Sequence, residues 1–395
     1  MGKQRLLVPD LVVLSGAFFF IFLGPGALQQ HLDSVLGDKR FYVLATVYIS
    51  FGFWRVFIGL TIRALGDFLS ELLGAATYVG FAAVLLLSRS WPVVLIAAAV
   101  WGWGAASLWI TSQAQLLDAT TRHGAASGLF YSMLTAGQAL GVGLLALIAS
   151  SSPTLPTSLP RKDMLLVTSV VLGLPGIVLI CFVPRRRVER ERFSLRRFWA
   201  VARQRPIVLV GMVLLCSSLP YGILLGVFSE LARTATQGQW PAIAFYVARV
   251  ALCFPAGALG DKIGKARVLQ LSFLLAAGGM GVAAFWRTSP GLSLSICAGA
   301  LAVQSTLAQS SAMALMGDVA RSEERHLALG AAFLWRDLGV VVPLLLAGLV
   351  KGLLPDPSDT GALAGVLSYA LLGFAAAFVG CALVCGRLGR RERQA

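Results

Sequence analysis

Charge is what this sequence has least of. Only 13% of its 395 residues are charged, against 57% hydrophobic, and the mean hydropathy is +0.79. Soluble domains carry about 25% charged residues, so this chain cannot cover a water-facing surface, and lipid is the solvent that remains. Histidine is nearly absent. His31, His123 and His326 stand isolated at the ends of apolar runs, with no cysteine or carboxylate at metal-ligand spacing, so no metal site is expected. There is no glycine-rich phosphate loop and no support for a Ser–His–Asp arrangement. The chain is therefore not read as an enzyme, and no cofactor or ATP drive is expected. The six cysteines (Cys181, Cys216, Cys253, Cys297, Cys381, Cys385) all lie inside apolar runs, which argues against a disulfide framework. Although Cys381 and Cys385 share a helix face, they are read as plain packing.

What the sequence does have is a series of apolar runs long enough to cross a bilayer, each needing about 20 residues. They fall near 10–30, 41–62, 69–88, 93–116, 125–149 and 164–183, then 207–230, 241–259, 268–286, 291–316, 327–350 and 361–386. This predicts an all-α polytopic membrane protein of about twelve transmembrane helices. The net charge of +15 is unevenly spread: of the 33 Lys and Arg, 22 fall in segments that alternate onto one side, eight on the other and three within spans. That is the positive-inside signature. It places both termini in the cytoplasm, in a multi-pass protein of a bacterial inner membrane, and accounts for the basicity without nucleic acid, which would need a basic soluble face. Lys3 and Arg5 before an apolar stretch mimic a signal peptide, but no small-residue cleavage site follows, so the stretch is read as the first span.

Pro184 to Pro206 holds nine Arg and two Glu, and cannot cross a bilayer. It divides the chain into an N-terminal six-helix half (1–183), a basic cytoplasmic linker (184–206), a C-terminal half (207–386) and a basic tail (387–395). Within the linker, Phe193, Leu195, Phe198 and Trp199 suggest a short amphipathic helix on the headgroups, with a disordered basic tether as the alternative. The halves repeat. Arg55-Val56 and then Ala64-Leu65-Gly66-Asp67 match Arg249-Val250 and Ala258-Leu259-Gly260-Asp261 at an offset of 194 residues. Pro25 matches Pro220, Asp118 matches Asp318, Arg122-His123 match Arg325-His326, and Gly128 and Gly137 match Gly330 and Gly339, with the offset drifting only to 203. Six spans per half make the repeat parallel.

Between the eighth and ninth spans stands Gly257-Ala258-Leu259-Gly260-Asp261-Lys262-Ile263-Gly264-Lys265-Ala266-Arg267. It resembles the loop signature of the major facilitator superfamily. The resemblance implies that Asp261 braces the N-terminus of the fifth span, near Arg122, where free N–H groups and the helix dipole favour a carboxylate. Gly257, Lys262, Gly264 and Lys265 complete the gating loop. The first-half copy keeps Asp67, expected to brace the eleventh span, but Phe68 and Glu71 stand where basic residues are expected. Gly128, Gly137 and Gly141 in the fifth span resemble part of the superfamily's antiporter signature, with Val142 in place of its proline; the spacing also suits plain helix contact. A narrower resemblance, to the Unc-ninety-three-like proteins, rests on Gly24-Pro25-Gly26-Ala27-Leu28-Gln29-Gln30, on Tyr48-Ile49-Ser50-Phe51-Gly52, and on Trp103-Gly104-Ala105-Ala106-Ser107-Leu108-Trp109. Some members of that branch are accessory proteins rather than transporters.

Four charges stand deep in the spans: Arg55, Arg249, Arg336 and Asp337. Arg55 precedes Asp67 by twelve residues, about 18 Å along a helix, which sets it, and Arg249 by the repeat, near mid-membrane. A charge there costs about 2.5–3.5 kcal/mol on insertion scales and is a functional candidate. Neutral polar residues join them: Trp101, Trp109, Gln113 and Gln115 in span four, Gln304, Ser305, Gln309 and Ser311 in span ten, and Ser217, Ser218 and Tyr221 in span seven.

The expected substrate-binding set is Arg55, Arg249, Arg336, Gln113, Gln304, Gln309, Tyr221 and Trp109. Asp337 is the expected proton-coupling residue. On a helix, Arg336 points about 100° away from it, so Arg55 or Arg249 is an equally good partner; a purely structural Asp337–Arg pair is the alternative. The whole reads as a monomeric secondary transporter of a small organic solute with anionic character, coupled to protons, or as a transport-inactive accessory protein with the same fold.

Overall fold

The structure is a computed structural model, and it describes residues 9–88, 90–119, 123–150, 160–183, 194–234, 240–263, 265–285, 290–353 and 360–391. No strand occurs among them. In chain order the helices are α1 Pro9–Ile21, α2 Leu32–Leu36, α3 Arg40–Leu87, α4 Trp91–Ala119, α5 His123–Ser150, α6 Arg161–Ile180, α7 Leu195–Ala202, α8 Arg205–Ile223, α9 Ser229–Thr234, α10 Trp240–Ile263, α11 Lys265–Phe285, α12 Pro290–Val319, α13 Arg325–Leu353 and α14 Thr360–Arg391. Nine stretches among the described residues are long and apolar enough to cross a membrane, the first of them 78 residues, Asp10–Leu87. At 1.5 Å per residue that is about 117 Å, several times a hydrocarbon core of about 30 Å. The chain is an integral, multi-pass membrane protein.

The long α3 turns back on itself at Gly66, where φ is 76° and ψ 166°. A side chain would be strained there, and glycine is not. Both limbs then pack on α4. Before the bend, the Ser50 hydroxyl donates to the Ala99 carbonyl at 2.6 Å; after it, Phe81 stacks on Trp101 at 4.6 Å between centroids. The expected division into spans two and three therefore falls at this glycine.

Two further interruptions lie at matching places. After α1 comes a π turn, Phe22–Gly26, containing Pro25; after α8 comes another, Leu224–Phe228, just past Pro220. Proline has no N–H to donate and crowds the preceding turn, and a π turn is a common way to absorb that.

The helices before α7 pack chiefly among themselves, α1 on α5 and α6, and α3 on α4 and α6; those after it do likewise, α8 on α12 and α13, and α11 on α12 and α14. Two seams join the groups, α3 against α13 and α5 against α10. Close approach needs small residues: a Cβ at Gly137 or Gly141 would collide with the α1-side carbonyls of Phe19 and Leu23, and one at Gly339 with the carbonyl of Leu215 in α8. Here the glycines of the fifth span make helix contact.

The linker helix departs from expectation. Ser194 caps α7, its hydroxyl accepting from the Arg197 amide at 3.1 Å. Phe198 and Val201 are buried while Leu195 and Trp199 are exposed. Instead of lying on headgroups by the whole predicted apolar set, α7 turns Phe198 inward beneath α3 and α13, near Gly330 and the Arg55 backbone. The other member of that set, Phe193, lies outside the described residues.

Candidate functional site

The α3–α13 seam carries a buried charge triad. Arg55 Nε lies 2.5 Å from Asp337 Oδ2, with side-chain exposures of 0% and 2%. The Arg336 guanidinium holds the other oxygen, Nε at 3.2 Å and Nη2 at 3.1 Å from Oδ1. Asp337 is thus held both by Arg55 from the other helix group and by its sequence neighbour, whose long side chain curls back across the 100° that separates the two Cα–Cβ directions. Arg55 is walled by aromatic faces, its guanidinium carbon 3.9 Å from the Phe51 centroid and 4.6 Å from that of Phe333, a cation–π arrangement that offsets the lost hydration.

Arg249 is not part of the triad. It sits at the α5–α10 seam and donates to Gln309 Oε1 at 2.7 Å. Between the seams lies a cavity of about 90 Å³ bordered by both helix groups. Five of the predicted binding residues line it: Arg249, Arg336, Gln309, Tyr221 and Trp109. Three do not. Arg55 is shut behind Asp337; Gln304 spends its amide on the Cys216 carbonyl at 3.1 Å; Gln113 is fully buried in α4. Ser217, Ser218, Ser305 and Trp101 line the cavity as well.

Residues missed by sequence reasoning form much of the wall: Phe22, Tyr48, Phe51, Tyr78, Tyr131, Gln29 and Gln138. Gln29 Oε1 accepts from Tyr48 Oη at 3.2 Å and from Tyr221 Oη at 3.0 Å, so it joins the two groups of helices. Gln30 makes a second such link, donating to Tyr246 Oη at 3.1 Å. The signal was present, since both glutamines close the Gly24–Gln30 motif. Arg336 also lies 4.9 Å from the Trp109 centroid, so the cavity presents guanidinium groups within an aromatic lining.

Ion pairs lie at both ends of the cavity, and Arg325–Asp118 at one end and Arg40–Glu230 and Lys351–Asp38 at the other cross between the groups. At the end where α3 bends, Arg325 of α13 holds Asp118 of α4, and Arg197 of α7 holds Glu324. At the opposite end Arg40 reaches Glu230 at 2.5 Å and Asp33 at 3.6 Å, and Lys351 reaches Asp38 and, at 3.7 Å, Glu230. Of the predicted gating residues, Asp67 is half-buried one residue past the bend. Gly257, Asp261 and Lys262 lie in the last turns of α10, and Lys265 opens α11; their side chains lie outside the described part, as do Gly264 and Arg122 altogether. The six cysteines are free thiols, with the Cys216 and Cys381 sulfurs 3.8 Å apart.

Comparison with known proteins agrees with this architecture. The chain matches the human organic anion transporter MFSD10 (TETRAN) with a TM-score of 0.66, at 17% identity over 96% of this chain and 100% of that one. It matches the E. coli fucose:proton symporter FucP at 0.65, with 14% identity over 95% and 99%. The nucleoside transporter NupG gives 0.68, with 10% identity over 95% and 99%.

The chain has the major facilitator fold.

Residues 33–213 match the family model of the ion channel regulatory protein UNC-93. UNC93-like protein 3 of Arabidopsis thaliana is 30% identical over 120 residues, which is 30% of this chain and 26% of that protein. The resemblance of the first half to the UNC-93 branch thus holds alongside the superfamily fold.

Proposed function

We propose that this major facilitator protein is a secondary active transporter that moves a small organic solute of anionic character by alternating access, as a monomer, with the proton as coupling ion. The observation that carries the reading is the cavity itself, which lies between the two helix groups, is walled by aromatics and carries the Arg249 and Arg336 guanidinium groups. Its volume of about 90 Å³ is well below the roughly 300–1,000 Å³ of small-molecule sites, and ion pairs strap both ends. A solute therefore enters only when one end parts. Rocking one six-helix half against the other about the cavity does this, with the basic linker and both termini on the cytoplasmic side.

In this scheme Arg249 and Arg336 take the anionic group in forked hydrogen bonds. Arg336 is held by Asp337 until the solute arrives. The solute's anion displaces the carboxylate from Arg336, and Asp337, left on Arg55 alone, takes a proton. The fucose:proton symporter and the organic anion transporter among the structural neighbours support the solute and coupling classes by fold likeness.

The UNC-93 match supports a second reading, an accessory protein that regulates a partner and transports little. The test is uptake into vesicles containing the purified chain, using a panel of small carboxylates and an imposed pH difference. Accumulation of a carboxylate that Arg249→Ala abolishes and Asp337→Asn uncouples supports the transporter. Folded protein that moves none of the panel favours the accessory reading.

A further inference from the structure

Position 71 is where the loop signature calls for a basic residue and this chain has Glu. Reversal of charge at an exposed position would matter little, but Glu71 is not exposed. It lies five residues past the Gly66 bend, on the second limb of α3, with 2% of its surface accessible. Its side chain turns into α4. Oε1 accepts from the Ser112 hydroxyl, and Oε2 accepts from Gln115 Nε2 at 3.3 Å. Ser112 and Gln115 are three residues apart on one helix face, so both reach the same carboxyl group.

Glu71 has no Lys, Arg or His partner among the described residues, which sets it apart from Asp337 with its two arginines. An ionised carboxylate out of water costs several kcal/mol unless a cation answers it, and two neutral donors return only part of that. A proton removes the charge outright. The neighbours accommodate both forms: a serine hydroxyl donates to the carboxylate and, by rotating, accepts from the acid.

We infer that Glu71 is a proton-binding site of the first helix group, separate from the charge triad, loaded from the end where α3 bends. The step is the addition of one proton to the carboxylate, and no other bond changes. Its route is short. Asp67 stands one turn earlier on the same helix and is half-buried beside the exposed Gly66, and Gln115 is itself half-buried. Of the other charges on α3 and α4, Arg40 pairs with Glu230 and Arg55 with Asp337, Arg63 is exposed on α3, and Asp118 on α4 is engaged by Arg325 of α13. Neither Arg63 nor Arg325 is a partner of Glu71.

The test is infrared difference spectroscopy on the full chain in lipid bilayers, stepping the pH downward and following the carbonyl stretch of a protonated carboxyl group. The signal should appear on acidification, persist in Asp337→Asn and be absent in Glu71→Gln. Ser112→Ala, which keeps the carboxyl group and removes one hydrogen bond, should move its frequency without abolishing it. A signal that survives Glu71→Gln, no titrating carboxyl signal at all, or a frequency indifferent to Ser112→Ala overturns the assignment. The readout needs no substrate, so it is independent of whether the chain transports.

Discussion

Arg55 and Arg249 hold the same place in the two halves of the repeat, 194 residues apart, yet they live differently. Arg55 is sealed at the α3–α13 seam against Asp337. Arg249, at the α5–α10 seam, borders the cavity and meets the neutral Gln309 and the Phe245 ring. The difference lies on the opposing helix. Where α13 offers Asp337, α5 offers Thr135 at the equivalent position, and its hydroxyl bonds back to the Tyr131 carbonyl at 2.6 Å. One seam is therefore locked by an internal counter-ion, while at the other Arg249 has no carboxylate partner among the described residues.

The largest effect should come from unlocking the sealed seam. Arg55→Ala strips Asp337 of one of its two cations, and breaking a buried pair on one side costs about 3–5 kcal/mol. Arg249→Ala breaks no ion pair among the described residues and should cost about 1 kcal/mol, the worth of a typical hydrogen bond. Thermal melting of the two purified variants decides the matter; equal losses would mean that the seams are alike.

The next effect should come from making the second seam resemble the first. Thr135→Asp supplies Arg249 with an internal carboxylate, and carboxylate uptake should fall about 100-fold, or about 2.7 kcal/mol, in protein that melts no earlier than the parent. Undiminished uptake would separate Arg249 from the solute.

The smallest and sharpest change is Arg249→Lys. It keeps the charge and loses the planar fork, so affinity for a carboxylate should drop about tenfold, or about 1.4 kcal/mol, with melting unchanged. Full affinity would show that charge alone is read at this place.

The membrane fold was legible because it is written in one dimension. Apolar runs, the basic linker and the drifting offsets between matching residues all survive without any knowledge of contacts. Gly66 and Gly137 were found that way, and the structure puts them at a bend and at a helix contact. The site was legible only in part, because pairing is decided across seams. The 100° argument left Arg336, Arg55 and Arg249 open as partners for Asp337; Arg55 and Arg336 both hold it, because direction at Cβ is not direction at the guanidinium, four bonds further out. Glu71 was read as a lost basic charge, since a sequence does not show which limb of a bent helix faces inward. Gln29 and Gln30 were quoted for resemblance, while their chemistry depends on tyrosines that come together from distant places in the chain. For α7 the amphipathic pattern gave the helix and Phe198, but not the buried stripe: Leu195 and Trp199 are exposed, and Val201, outside the expected set, is buried.

The two π turns set a clockwork relation between the halves. Each holds one residue more than an α turn would, and the segment beyond each ends in a cross-group contact: Gln29 and Gln30 after Phe22–Gly26, Glu230 after Leu224–Phe228. Passing the surplus residue along the helix turns what lies beyond it by about 100° and advances it by about 1.5 Å. One such notch in the first half would carry the glutamines off Tyr221 and Tyr246, and one in the second would carry Glu230 off Arg40. The first helix of each group thus reaches its cross-group contact only through the register that its π turn sets.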